Sequence, residues 1–292
     1  MTTTAPSPPP AAPVITRAEP APPQPQRRPK ATQAVEGRRR GLPPPPRWVS
    51  LVGILAIWQF AAASGVLPPD KLAAPSVIAG TAARLIASGE LAEAIGVSLS
   101  RVGLGLALGL SAGVLAGIIA GLSRWGDALL DPPLQALRTL PHLGLVPLFI
   151  LWFGIGETPK VLLIALGVAF PIYLNLYSAI RSADRGLLEA AQVNGLTRRQ
   201  KLAHVILPSA TPQALVGLRQ GLAIAWLSLI VGEQINAEAG LGYLINNARE
   251  FLLTDVVVVG LLVYALLGLG TDWIVRIIEG RALRWREGTT LR

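Results

Sequence analysis

The chain has 292 residues, of which 51% are hydrophobic and 15% charged, and its mean hydropathy is +0.50. A soluble domain carries about a quarter charged residues, so an ordinary cytosolic enzyme of this length is excluded and lipid is the expected solvent. Cysteine is absent, which removes disulfides, thiolate metal sites and cysteine nucleophiles; His142 and His204 alone are too few for a histidine-rich metal site.

Residues 1–47 stand apart. They hold 14 of the 25 prolines and eight basic residues against Glu19 and Glu36, a net of +6. Almost nothing there can build a core, so a disordered, solvated cytoplasmic tail is expected. No aromatic residue interleaves with Arg38, Arg39 and Arg40, which argues against a nucleic-acid arm. A 47-residue charged lead is also too long for a signal-peptide n-region, although Ala61-Ala62-Ala63-Ser64-Gly65 resembles a cleavage site.

Six apolar segments follow, over 48–66, 97–122, 134–153, 161–180, about 213–235 and about 256–278. Each approaches the ~20 residues a helix needs to cross ~30 Å of hydrocarbon. In lipid the backbone must satisfy itself, so these read as helices. The expected fold is an all-α membrane protein with about six transmembrane helices. The first helix and an external linker occupy 48–89, the main transmembrane domain 90–280, and a cytoplasmic C-terminal tail 281–292. Arg138 and His142 interrupt the third segment, and Arg219 the fifth.

Charge in the connections sets the orientation. The tail carries +6, the 181–212 loop +3 and the stretch from Glu279 onward +2, while the other connections are neutral or negative. Six spans put the three positive stretches on one side. The positive-inside rule then places both termini and the 181–212 loop in the cytoplasm. The net +9 is mostly an orientation signal.

Gly105, Gly109, Gly113, Gly117 and Gly121 recur every fourth residue, about one turn apart, and form a stripe that lets another helix come close. Gly217 and Gly221 repeat the spacing. Pro141, Pro147 and Pro171 each remove a helical hydrogen bond. Broken helices in a membrane are tolerated where they are buried or line a cavity, so Arg138, Pro141 and His142 are candidates for a translocation pathway. The rival reading, favoured for Arg138, is that its side chain snorkels to the cytoplasmic face from one turn inside.

The 181–212 loop reads as two short helices. Asp184 caps the first, Gly195 is a left-handed stop, and Thr197 with Gln200 has the spacing of a capping box. The second helix is expected to run to about Ile206 and to end before Pro208. A helical hairpin with Arg198, Arg199 and Lys201 outside and an apolar face inside is suited to docking a partner.

The string Glu189-Ala190-Ala191, then Gly195, Val205 and Leu207-Pro208, resembles the EAA motif of ABC importer permeases of the binding-protein-dependent type-I family. Val205 stands where that family has isoleucine. The resemblance covers roughly residues 90–280 and implies the type-I permease fold, with 181–212 as the coupling loop that docks on an ATP-hydrolysing subunit. Leu140-Pro141-His142-Leu143, Pro147, Ile150 to Gly154, Phe170 to Tyr173, Asn247 to Phe251 and Thr254 to Val259 narrow it toward the aliphatic sulfonate permeases, within a group that includes taurine and nitrate permeases. The resemblance implies two ATPase subunits, an external substrate-binding protein and a second permease copy as partners, in the bacterial cytoplasmic membrane. It also implies no cofactor in this chain, with ATP and Mg on the ATPase. The chain lacks a G-x-x-x-x-G-K-[ST] loop, so no catalytic residue is expected in it. The connection before the sixth segment offers Asn236, Asn246, Asn247 and Arg249 as external contacts.

Two other classes compete. A membrane-embedded enzyme would need a nucleophile and a base, and Ser228, Glu233 and His142 are the set on offer, without a spacing that joins them. A channel or ATP-independent carrier usually shows internal repeats, and no clear repeat is visible.

Overall fold

The computed structural model describes residues 48–285 apart from Asn236. The proline-rich tail, residues 286–292 and Asn236 therefore lie outside the described residues. All regular structure among the described residues is helical. The helices are α1 (Trp48–Ala63), α2 (Pro75–Ala87), α3 (Glu90–Leu122), α4 (Arg124–Arg138), α5 (Val146–Phe153), α6 (Glu157–Arg181), α7 (Arg185–Val193), α8 (Arg198–Lys201), α9 (Leu207–Gln234), α10 (Leu241–Glu250) and α11 (Thr254–Ala282).

The long helices α3, α6 and α9 make the central layer, with α6 in the middle. Ile164, Val168 and Ile172 of α6 are fully buried there, beside Val102 of α3 and Ala225 and Leu229 of α9. The α3 glycine stripe explains the close approach. A Cβ on Gly105 would sit 2.5 Å from Ile164 Cγ2, one on Gly113 2.6 Å from the Ala169 carbonyl oxygen, and one on Gly121 2.8 Å from Ile180 Cγ2. All five glycines of the stripe are buried against α6 of the same chain. Gly217 does the same for α9, facing the Pro171 carbonyl at 2.9 Å. Without a Cβ the backbones approach closely and dispersion supplies the attraction. The far sides of α3 and α11 stay apolar and exposed, including Leu104, Leu115, Leu266 and Trp273, as lipid-facing surfaces require.

Two of the six expected spans differ. Four helical stretches are long and apolar enough to cross a bilayer: Glu90–Leu122, Glu157–Arg181, Arg198–Gln234 and Thr254–Ala282. The first apolar segment forms only the 16-residue α1, about 24 Å at 1.5 Å per residue and short of ~30 Å. The third is not one helix: Arg124–Arg138 and His142–Phe153 meet at 89°. Pro141 has no N–H to continue the ladder and disfavours helical geometry in the residue before it, so the chain turns at Leu140-Pro141 and restarts as a short 3₁₀ turn over His142–Leu145 before α5. Counting the bent pair as one span gives five.

Candidate functional site

At one end of the helix layer the chain leaves α6 and builds the hairpin. Asp184 Oδ1 accepts from the Gly186 N–H at 2.7 Å and starts α7. Gly195 closes α7 in the left-handed region, at φ +75°. There the Leu196 N–H reaches the Ala191 carbonyl and the Gly195 N–H the Gln192 carbonyl, each at 3.0 Å, the pair that defines a Schellman stop. Thr197 and Gln200 form the reciprocal capping box of α8. Lys201 Nζ donates to Gln192 Oε1 at 3.2 Å and ties the two arms.

The second arm does not end before Pro208. A π turn over Leu202–Ile206 joins α8 to α9, with the Leu207 N–H reaching the Leu202 carbonyl. Widening the helix by one residue accommodates a proline that lacks an N–H and whose ring crowds the carbonyl four residues earlier. The hairpin is thus continuous with a 37-residue helical rod, Arg198–Gln234. Glu189, Ala190, Gly195 and Leu207 are exposed, Val205 and Pro208 half-buried, and Ala191 buried inside the hairpin. The tip is not purely basic: Leu187 is 54% and Val193 88% exposed. An uncovered apolar tip flanked by arginines is a docking surface in form.

Midway along the layer, an open cleft of about 270 Å³ lies beside the α4–α5 bend, between α6 and α9. Arg138 and His142 line it, and Pro141 makes the bend beside them. Asn175 of α6 and Gln220 of α9 add amides, and Phe170, Leu174 and Ile224 add apolar wall. His142 Nε2 lies 3.1 Å from Ser228 Oγ. A Cβ on Gly167 would meet Ile224, Ser228 and His142, so that glycine lets the bend seat against α9. A two-rung ladder fixes α4 on α6: the hydroxyl of Tyr173 donates to Asp131 Oδ1 and that of Tyr177 to Asp127 Oδ1, each at 2.7 Å, and Arg181 pairs with Asp127 at 2.7 Å.

At the end opposite the hairpin, a buried polar network joins five helices. Arg101 of α3 is 3% exposed and donates to Glu233 Oε1 of α9 at 2.6 Å, to both Glu157 oxygens of α6, and to the Ala239 carbonyl at 2.7 Å. Glu233 is 1% exposed. It also accepts from Ser98 Oγ (2.7 Å), the Gly242 N–H (2.8 Å) and Tyr264 OH (2.8 Å). Every buried charge is therefore matched, as a low-dielectric site demands. The network seats the start of α10, an amphipathic helix whose Leu241, Leu244, Ile245 and Ala248 face inward. On its outer side Arg249 Nη2 donates to Asn246 Oδ1 at 2.7 Å, Asn246 Nδ2 donates to Glu250 Oε1 at 3.0 Å, and Asn247 is exposed.

The profile of the binding-protein-dependent transport system inner membrane component family matches residues 113–284. The chain belongs to that family of ABC importer permeases. It is 50% identical over 245 residues to the aliphatic sulfonates transport permease protein SsuC of Escherichia coli (strain K12), covering 84% of this chain and 93% of that one. To the SsuC protein of Bacillus subtilis (strain 168) it is 42% identical, covering 80% and 85%. Among solved structures, an amino acid ABC transporter with histidines superposes with a TM-score of 0.58 at 18% identity, covering 68% of this chain and 97% of that one. That likeness shows the type-I permease fold.

In this permease the motif residues Glu189 to Pro208 converge on one hairpin, and Arg138 and His142 line one cleft, with Pro141 at the bend beside it. Asn246, Asn247 and Arg249 share α10, while Asn236 lies outside the described residues. Ser228 and His142 meet, but Glu233 is held by Arg101, Ser98 and Tyr264 rather than by His142, so the enzyme triad does not assemble. Sequence reasoning missed the Arg101–Glu233 network and the Tyr–Asp ladder. The ladder did leave a signal: Asp127 and Asp131 share a four-residue spacing with Tyr173, Tyr177 and Arg181.

Proposed function

We propose that this permease is the membrane subunit of an ATP-driven importer that moves aliphatic sulfonates across the bacterial cytoplasmic membrane. The observation that carries the substrate is the similarity to SsuC over most of both chains. The hairpin carries the coupling. Its exposed Leu187 and Val193, with Glu189 beside them, dock in a groove of the partner ATPase, which supplies ATP and Mg chemistry that this chain has no loop to perform. Both termini and the hairpin are cytoplasmic, in keeping with their positive charge; this orientation takes the short apolar α1 as a sixth crossing beside the five made by the longer helices, with the bilayer thinning to meet it.

The helical rod Arg198–Gln234 gives the hairpin a mechanical connection across the membrane. Closure of two ATPase subunits draws together the hairpins of two permease copies, and each rod carries that motion to its Glu233 end. Coupling of this kind is a bias on a two-state equilibrium, set by contacts that differ between the states. The cleft beside the α4–α5 bend is the pathway wall: polar groups such as Arg138, Asn175 and Gln220 at mid-height need water or a second protein surface, because lipid satisfies none of them. The second permease copy covers that face. At the external end, Asn246, Asn247 and Arg249 of α10 meet the substrate-binding protein.

Growth on single sulfur sources tests this reading. A strain lacking the gene should lose growth on an alkanesulfonate, keep growth on sulfate and regain the lost growth with the intact gene. Loss on taurine alone would favour a taurine importer, the alternative within the group. Unaltered growth on every source would contradict a sulfonate role.

A further inference from the structure

The cleft beside the α4–α5 bend has two chemically distinct poles. One is built of donors. Arg138, at the end of α4, spends its guanidinium on a single 3.5 Å contact with Gln135 of its own helix, which leaves most of its five N–H donors unspent. Asn175 Nδ2 donates to the Pro171 carbonyl at 2.8 Å and to Gln220 Oε1 at 3.0 Å. A carbonyl only accepts, so the Pro171 bond fixes which end of the Asn175 amide is nitrogen. Asn175 Oδ1 in turn accepts from Gln213 Nε2 at 2.9 Å. The amides therefore run in one direction, from Gln213 to Asn175 to Gln220, and the chain ends on the Gln220 amide nitrogen, which makes no described bond. No carboxylate lines the cleft. The other pole is Phe170, Leu174 and Ile224.

We infer that this cleft is itself an alkanesulfonate site, in which Arg138 and the Gln220 amide hold the sulfonate oxygens while Phe170, Leu174 and Ile224 hold the alkyl chain. The permease then selects its cargo a second time, after the binding protein. The inference rests on the importer reading above and deepens it. A sulfonate offers only acceptors and suits a pole whose amide oxygens already accept from neighbouring amides and whose unspent groups, the Arg138 guanidinium and the Gln220 amide nitrogen, are donors, with the planar guanidinium best placed to contact two oxygens at once. An alkyl chain suits the opposite wall, where each methylene is worth roughly tenfold in discrimination. A terminal ammonium, as in taurine, would meet apolar wall there and find no acceptor.

The test uses the complete transporter in proteoliposomes, with binding protein and substrate both saturating so that the maximal rate reports the permease step. Methanesulfonate and octanesulfonate are the probes. Gln220→Glu keeps the oxygen that accepts from Asn175 and replaces the terminal donor by a negative charge, so it should lower both rates at least tenfold; Arg138→Gln should do likewise, and Arg138→Lys should restore part of the loss. Leu174→Asn should lower the octanesulfonate rate about tenfold more than the methanesulfonate rate. Co-purification of each variant with its ATPase reports folding. Wild-type rates in both Gln220→Glu and Arg138→Gln would overturn the site, as would equal loss on both probes in Leu174→Asn. A wild-type transporter that moves neither sulfonate would overturn the importer reading itself, an outcome distinct from those of the variants.

Discussion

Replacing Gly109 with alanine is the sharpest test of how the helix layer is held. A methyl there would overlap the carbonyl oxygen of Ala165 and sit 2.8 Å from Val168 Cβ. The oxygen belongs to the α6 backbone and has no rotamer to escape into, so α3 and α6 must separate locally by about 1 Å to restore contact, at the upper end of the ~1–3 kcal/mol that overpacking costs. Gly117 gives the graded comparison. The three atoms nearest its methyl would all belong to the Leu176 side chain, the first at 3.2 Å, and a leucine can turn, so less than about 1 kcal/mol is expected. Gly103, on the same helix, has nothing within 4 Å. Alanine there should gain about 0.5–1 kcal/mol from helix propensity alone. Thermal unfolding of the purified permease in detergent reads the series. At roughly 2–4 °C per kcal/mol for a chain of this size, Gly109→Ala should lower Tm by about 5–10 °C, Gly117→Ala by a few degrees or less, and Gly103→Ala should hold or raise it. Equal Tm values for the Gly109 and Gly103 variants would refute the close approach of α3 and α6.

Arg101→Met strands the buried Glu233 carboxylate without its cation, which should cost about 3–5 kcal/mol; adding Glu233→Gln should recover part of that loss, and a double variant no more stable than Arg101→Met would contradict the pairing. Gly195→Ala forces a side chain into the left-handed region at φ +75°, worth roughly 1–2 kcal/mol, and should loosen the hairpin so that proteolysis between α7 and α8 speeds up; an unchanged cleavage rate would count against the Schellman stop. Glu189→Lys, on the exposed face of α7, should leave the permease folded but sever ATP hydrolysis from uptake, and wild-type uptake by that variant would remove Glu189 from the coupling surface.

Local structure followed from short-range signals. The hairpin was legible because caps are short-range: Asp184, Gly195, Thr197 and Gln200 each act within a few residues, and all four take the positions their chemistry demands. The glycine stripe was legible as a packing face, but a periodicity names no neighbour, and the neighbour is α6 of the same chain. Hydropathy cannot see direction, so residues 134–153 read as one span although Pro141 folds them through 89°. Pro208 read as a terminator because a π turn, which absorbs it, has no composition of its own. The Arg101–Glu233 pair joins residues 132 apart, and no local pattern encodes such a partner. Arg101 also lies inside an apolar run, where one cation barely alters the average. An unpaired-looking charge in a membrane segment was the available clue.

The most direct measurement is uptake of a radiolabelled alkanesulfonate into proteoliposomes holding this permease with its partner ATPase and substrate-binding protein. Accumulation should require all three components and ATP on the hairpin side, and should vanish when Glu189→Lys replaces the wild-type chain. Accumulation that persists without ATP, or without the ATPase, would make the protein a channel or carrier and contradict the coupled-importer account.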